Sequence, residues 1–280
     1  MTKCNRKIPN FFIVGASKAG TTSLVEALSM HPSIFMTHPK EPNFFSRYDD
    51  ANGIEDYSLE NYLKLYKSAE SETVLGEASV RYLDSSQAAK HIYNFNPDSK
   101  ALISLRNPMD RIRSLYEMYV RHGLEHSFDY VTRVDPWLVQ QCLYYDRVKR
   151  YFDVFPRNQL LIIDFSDLIG DWISTISSVH KFLGLLPVQA EKPIIRNMGG
   201  LPRYSSLKVL QNRAVVGLGK KIVPRRYHTI VDKRVKALGF QRKELSQEEA
   251  AWLRPIFLDD VQRMDDLLNS QYSEKWIGRC

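Results

Sequence analysis

One stretch of the chain decides its fold: Phe11-Phe12-Ile13-Val14-Gly15-Ala16-Ser17-Lys18-Ala19-Gly20-Thr21-Thr22-Ser23-Leu24. The apolar run at its start predicts a buried strand, and the two glycines predict a tight turn after it. Hydroxyl residues then open a helix that we predict over 21–30. Amide groups at a helix N-terminus have no partner within the helix, so they can bind phosphate. We predict phosphate contacts from Gly15, Lys18, Ala19, Gly20, Thr21, Thr22 and Ser23.

The position of the lysine separates this loop from that of nucleoside triphosphatases, which reads G-x-x-x-x-G-K-[ST]. Gly15 and Gly20 have that spacing, but Thr21 stands at the lysine position and Lys18 lies inside the loop. The loop therefore lacks the Lys-Thr pair of the usual Mg²⁺ arrangement. An ordinary glycine-containing turn between a strand and a helix is the structural alternative.

The rest of the chain alternates short apolar runs with helical patterns, which predicts an α/β protein. We predict a P-loop-containing three-layer fold, in which helices flank a central, mainly parallel sheet. Further strands are predicted at 73–75, 101–105 and 160–163. Further helices are predicted at 59–66, 85–93, 110–120, 142–155, 172–183 and 246–268, the last one capped by Ser246 with Glu248 and Glu249 in its first turn.

Length and composition favour one domain over residues 1–280, in which 191–243 form a loop-rich lid on the substrate side. The chain contains no apolar run of 18 residues and no signal-peptide core, so we predict no transmembrane segment and a cytoplasmic location. Three widely spaced cysteines fit neither disulfides nor a zinc site. The net charge of +7 fits a solvated basic surface or a cleft for a polyanion, and no nucleic-acid-binding motif is present.

A second anion site is predicted in the stretch from Leu102 to Tyr116. Its apolar strand ends at Arg106, and Pro108 then stands where proline starts helices. Open α/β sheets bind ligands at the carboxyl ends of their strands. Ser114 follows Arg106 by eight residues, so both side chains could hold one anion.

Both motifs resemble those of sulfotransferases that use 3′-phosphoadenosine 5′-phosphosulfate (PAPS), in particular the heparan-type and bacterial O-sulfotransferases. The resemblance implies that the loop binds the 5′-phosphosulfate, with Lys18 at the bridging oxygen. It also implies that Arg106 and Ser114 bind the 3′-phosphate. PAPS is then the donor, and no metal is expected.

Lys40-Glu41-Pro42-Asn43-Phe44-Phe45 resembles the catalytic stretch of the same enzymes, in which the matching Glu takes the proton of the acceptor hydroxyl. The resemblance implies that Glu41 is the base, with Lys40 as a candidate substrate contact. Asn43 stands where some heparan-acting members have His.

The stretch 76–83, Gly-Glu-Ala-Ser-Val-Arg-Tyr-Leu, resembles the acceptor segment of the family, with Ala78 and Val80 in place of its Lys and Pro. Candidate acceptor contacts are Glu77, Ser79 and Tyr82.

The function predicted from these motifs is in-line transfer of a sulfuryl group from PAPS to a hydroxyl of a glycan, a lipid or a small molecule. Two alternatives stay open at this point. One is a P-loop nucleotide kinase or other phosphotransferase, in which Asp164 would be a Mg²⁺ ligand. The other is a non-catalytic polyanion-binding protein on the same fold. The oligomeric state does not follow from the sequence.

Overall fold

The computed structural model describes residues 7–49, 58–188, 201–202, 240–241 and 244–278. Its five-stranded sheet has the order β2-β3-β1-β4-β5, and all neighbouring pairs are parallel. This sheet, with helices on its faces, confirms the predicted fold class. The strands are β1 (Phe11–Gly15), β2 (Ile34–Met36), β3 (Val74–Ala78), β4 (Lys100–Leu105) and β5 (Leu160–Asp164).

Each predicted helix has a counterpart among the described helices, and four further short helices were not predicted. They are α1 (Thr21–Leu28), α2 (Leu59–Lys64), α3 (Arg81–Asp84), α4 (Ala88–Phe95), α5 (Pro108–Arg121), α6 (Trp137–Cys142), α7 (Tyr145–Phe152), α8 (Phe165–Gly170), α9 (Trp172–Phe182), α10 (Gln247–Leu268) and α11 (Tyr272–Ile277). A 3-10 helix at Phe44–Asp49 follows the predicted catalytic stretch. The predicted cap of α10 is confirmed, because Ser246 Oγ accepts from Glu249 N at 3.1 Å and Glu249 Oε2 accepts from Ser246 N at 2.7 Å.

The backbone groups into two compact units. The first comprises residues 1–108, 143–194 and 256–280 and contains the five-stranded sheet. The second comprises 109–142 and 195–255 and contains a short antiparallel pair, β6 (Leu201–Pro202) and β7 (Phe240–Gln241). One domain over the whole chain stays a prediction. The predicted lid at 191–243 lies outside the described residues, apart from this pair.

Both faces of the sheet are covered within the first unit. Side chains alternate between the faces along a strand, and all five residues of β1 are buried. On one face, Phe11 and Ile13 pack with the apolar sides of α1 and α9. On the other, the Phe12 ring lies 5.7 Å from that of Phe45, which also contacts the rings of Tyr82 and Phe95. These contacts form the helix–sheet–helix layers.

None of the described helices is both long and apolar enough to cross a membrane. The longest, α10, has 22 residues and carries acidic and basic side chains along its length. The cytoplasmic location stays a prediction.

Candidate active site

The loop after β1 needs glycine at both of its ends. Gly15 and Gly20 have φ angles of +154° and +81°, which L side chains rarely adopt. A Cβ on Gly15 would lie 2.7 Å from Leu83 Cβ, and one on Gly20 would lie 2.9 Å from Phe165 and Leu168. The two ends of the turn therefore approach neighbouring side chains too closely for any other residue.

The N-terminus of α1 presents amides to the space above the loop. The amide of Leu24 donates to Gly20 O at 3.1 Å at the start of the helix. Gly20 is the N-cap residue, and no side chain caps this end of α1. The amides of Thr21, Thr22 and Ser23 thus have no acceptor within the helix, as phosphate binding requires. The hydroxyls of these three residues add further donors.

Lys18 lies within the turn in the left-handed region, with φ 67°. This conformation is unfavourable for a residue with a side chain and is concentrated at functional sites. The lysine side chain is partly exposed. The amide of Ala19, in contrast, donates to Ala16 O at 3.2 Å and serves the turn itself in this structure. The phosphate contact of Ala19 stays a prediction.

Arg106 meets the loop directly. It follows β4, which is the neighbour of β1, and its Nη1 donates to Lys18 O at 3.1 Å. The guanidinium carbon lies 4.9 Å from the centre of the Phe165 ring, and Tyr144 Oη donates to Arg106 O at 2.8 Å. The structure therefore brings the Arg106 guanidinium to the backbone of the loop that carries Lys18. Ser114 lies on α5 in the second unit, with 9% of its surface exposed, and its share in this site stays a prediction.

The last described helix, α11, is bound to the ends of β4 and β5. Asn107 Nδ2 donates to Trp276 O at 2.7 Å, and Trp276 Nε1 donates to Asp164 Oδ2 at 2.8 Å. Asp164 also accepts from Lys275 Nζ and from Ser166 N, each at 2.8 Å. Three protein donors thus occupy the carboxylate that a kinase would use for Mg²⁺. The described residues contain no group of three or more His, Cys, Asp and Glu placed to hold a metal ion.

Glu41 is fixed at the end of β3, on the other side of β1. Its φ is 67°, its amide donates to Ala78 O at 3.0 Å, and its Oε2 accepts from Val80 N at 2.8 Å. Lys40 Nζ donates to Oε1 of the same carboxylate. About a third of the Glu41 side chain, 32%, is exposed, so the carboxylate is open to a substrate. Lys18 and Arg106 thus follow β1 and β4, and Glu41 is bonded to the end of β3, so the three residues lie at the ends of three adjacent strands.

Three candidate acceptor contacts lie in the interior, next to the segment that carries Glu41. Glu77, Ser79 and Tyr82 are fully buried. Ser79 Oγ accepts from Asn43 N at 3.0 Å, and Tyr82 Oη donates to Glu77 Oε1 at 2.7 Å. Burial raises the pKa of Glu77 to about 8, with a smaller contribution from the charge of Glu41. In this structure the three residues support the segment that carries Glu41, and their contact with an acceptor stays a prediction.

Sequence reasoning missed the side chains that hold the loops after β1 and β4 in place. Ser104 Oγ donates to Ala19 O at 2.6 Å, and its hydroxyl inside an apolar strand was a usable signal. Tyr144 and Trp276 gave no signal, because they lie 38 and 169 residues from the loop residues that they contact.

A family model matches most of the chain. The family model described as "Sulfotransferase domain" matches residues 9–214, which include Lys18, Glu41 and Arg106. The chain belongs to the sulfotransferase family. The kinase alternative is therefore set aside.

Curated relatives agree with this assignment. The chain is 33% identical over 204 residues to human "Bifunctional heparan sulfate N-deacetylase/N-sulfotransferase 3", a match that covers 66% of this chain and 23% of the relative. It is 30% identical over 153 residues to "Membrane-associated sulfotransferase kil1" of Dictyostelium discoideum, which covers 52% of this chain and 32% of that protein. The chain thus spans about a quarter to a third of the length of these relatives.

A solved structure matches over nearly the whole chain. The sulfotransferase from Alicyclobacillus acidocaldarius is 28% identical, with a TM-score of 0.72, over 96% of this chain and 98% of that chain. The sulfotransferase domain from the curacin biosynthetic pathway, 16% identical with a TM-score of 0.52 over 95% of this chain and 99% of that chain, supports the fold.

Proposed function

We propose that this sulfotransferase takes its sulfuryl group from PAPS and transfers it to a hydroxyl of a saccharide. The hydrogen bond from Arg106 Nη1 to Lys18 O, at 3.1 Å, carries the donor assignment. It brings a second cation to a loop that already offers helix amides and a lysine. A nucleotide with phosphates on both its 5′ and its 3′ carbon needs two such anion sites, and a guanidinium can bind phosphate through two nitrogens.

The residues of the loop fit the donor. Thr21, Thr22 and Ser23 would hold the 5′-phosphate with amides and hydroxyls, and Lys18 would lie at the bridging oxygen. Arg106 would hold the 3′-phosphate, which the motif also assigns to Ser114.

The acceptor step is assigned to Glu41. Its carboxylate takes the proton of the acceptor hydroxyl as the hydroxyl oxygen bonds to sulfur. The bond between sulfur and the bridging oxygen breaks, and its electron pair stays on that oxygen. Lys18 stabilises the charge that develops there, which is the role of a preorganised donor. Lys40, next to Glu41, is the candidate contact for an anionic group of the acceptor.

A saccharide acceptor is supported by the similarity to the human heparan sulfate N-deacetylase/N-sulfotransferase and by the net charge of +7. An amino group is a second candidate, because the same relative is an N-sulfotransferase. Glu41 can serve as the base for either group.

Transfer of labelled sulfate from PAPS tests the proposal. The acceptors are a heparan-type saccharide with acetylated amino groups and the same saccharide with free amino groups. We expect label on both saccharides. Label on the free-amine saccharide alone would replace the hydroxyl by an amine. Binding of 3′-phosphoadenosine 5′-phosphate (PAP) without transfer to either, or to lipid and small alcohols, would contradict the proposed reaction.

A further inference from the structure

Glu77 is a buried acid that the proposed reaction leaves without a role. It is the residue before the last of β3, and none of its surface is exposed. Burying a carboxyl group is costly unless it is paired or neutral. Its Oε1 accepts from Tyr82 Oη at 2.7 Å, and no lysine or arginine contributes to the shift of its pKa. A strand position that an apolar residue could fill thus holds a carboxyl group.

The hydrogen bond to Tyr82 connects Glu77 with the segment that carries Glu41. Tyr82 Oη also accepts from Phe45 N at 3.3 Å, so the phenol bridges the acid and the backbone of the 3-10 helix. The linked bonds polarise each other and fix the position of that backbone. Glu77 is the rigid end of this connection, because β3 is paired on both sides, with β1 and β2.

Two further tethers hold the same segment. Glu41 is bonded to Ala78 O and Val80 N, and Asn43 N donates to Ser79 Oγ. Every second residue from Glu41 to Phe45 is thus bound to the stretch 78–82. These bonds fix the direction of the Glu41 carboxylate. They also hold the Glu41 backbone in a left-handed conformation that costs energy.

The charge state of Glu77 matters to its neighbour. The groups that face its carboxyl are Glu41 from the preceding loop, Tyr62 from α2, Tyr82 from α3 and Tyr151 from α7. Burial raises the pKa of Glu77 to about 8, so the acid is neutral at pH 7. Above that pH, Glu77 would carry a negative charge in the interior and change the electrostatic field at Glu41.

We propose that Glu77 is a positioning residue for sulfuryl transfer, which orients the Glu41 carboxylate through Tyr82 and the backbone of Phe45. The inference rests on the proposed function, because it takes Glu41 as the base. It assigns to Glu77 an effect on the chemical step and none on donor binding.

The test compares Glu77→Leu with Glu77→Gln in the labelled-sulfate assay, with the exposed Glu125→Gln as the matched control. A small misplacement of a catalytic group costs between about tenfold and a hundredfold in rate, and we expect Glu77→Leu to lose kcat by that factor. Its affinity for PAP should stay within about twofold, because binding and the chemical step are separate quantities.

The glutamine variant separates positioning from folding. It keeps the shape and the acceptor oxygen, so it should recover most of the kcat lost in Glu77→Leu. The pH dependence of kcat between pH 7 and pH 9 should differ between the wild type and Glu77→Gln, which cannot ionise. A folded Glu77→Leu with wild-type kcat, or a glutamine variant with the wild-type pH profile, overturns the proposal.

Tyr82→Phe decides the matter if Glu77→Leu does not fold. It keeps the ring and removes the connecting hydroxyl, so kcat should fall while PAP still binds. Unchanged kcat in this variant overturns the proposal. The proposed function fails in a different way: a wild type that transfers no sulfate, or a Glu41→Gln variant with wild-type kcat, removes the base on which the positioning acts.

Discussion

The donor loop (residues 15–23) and the acceptor segment (residues 41–45) are held in place by different means. Glycine conformations and short backbone bonds shape the donor loop, and its cation lies within it. The acceptor segment is bound from outside, by bonds to the stretch 78–82 and by the Glu77–Tyr82 pair. The donor loop holds Lys18, and the acceptor segment holds Glu41, at a φ of 67°. The turn of the donor loop is therefore set by its own glycines, with distant Ser104 and Arg106 bonded to its carbonyls, whereas the acceptor segment is held by residues about 40 positions away.

The largest effect is expected at the acceptor segment. Glu41→Gln removes the base but keeps the shape, so kcat should fall by about 10²- to 10⁴-fold, the usual contribution of general base catalysis. The labelled-sulfate assay measures the rate, and calorimetry with PAP serves as the control. A variant with wild-type kcat would show that the acceptor segment does not supply the base.

Lys18→Ala should lose kcat by about 10²- to 10³-fold, as does removal of one preorganised donor to a developing charge. Unlike the change at Glu41, it should also weaken the binding of PAP, because the lysine lies in the phosphate loop. The matched control is Lys90→Ala, an exposed lysine on α4, which should behave as the wild type. Equal losses of kcat in both lysine variants would show that the effect comes from the change in net charge and not from the position of Lys18.

The pH dependence of stability gives the next effect. The pKa of Glu77 rises from its ordinary value of 4.5 to about 8 on folding, because the carboxyl is buried. Between these values the unfolded chain releases a proton that the folded chain keeps, so stability falls as the pH rises. The advantage of Glu77→Gln over the wild type should grow from pH 5 to pH 8, by up to about 1.4 kcal/mol for each unit. Urea denaturation measures it, and a constant difference would contradict the burial of a neutral acid.

The smallest effect is expected at Trp276, which supports the donor side from α11. Trp276→Phe keeps the stacking on Tyr272, whose ring centre lies 4.4 Å away, and removes the bond to Asp164. Loss of one such hydrogen bond changes an equilibrium constant by about threefold to tenfold. We expect the affinity for PAP to fall by that factor. Tyr272→Phe is the control that keeps both rings. Unchanged affinity for PAP in Trp276→Phe would show that this contact of α11 does not contribute to donor binding.

The sequence predicted the features that depend on neighbouring residues. The turn between Gly15 and Gly20 and the cap at Ser246 follow from local conformational rules and are present as expected. It did not predict β2, because Ile34–Met36 is an edge strand that is stabilised by its pairing with β3. Nor did it predict the burial of Glu77, which depends on aromatic rings from separate helices. The contact of Asn107 with Trp276 joins residues 169 positions apart, beyond the reach of any local pattern.

Titration of PAP into the wild type, Lys18→Ala and Glu41→Gln by calorimetry tests the division between donor loop and acceptor segment most directly. We predict that Glu41→Gln binds PAP as the wild type does. We predict that Lys18→Ala binds it at least about tenfold more weakly, a loss of about 1.4 kcal/mol. Equal affinity in all three proteins, or a loss confined to Glu41→Gln, would contradict the assignment of the loop to the donor.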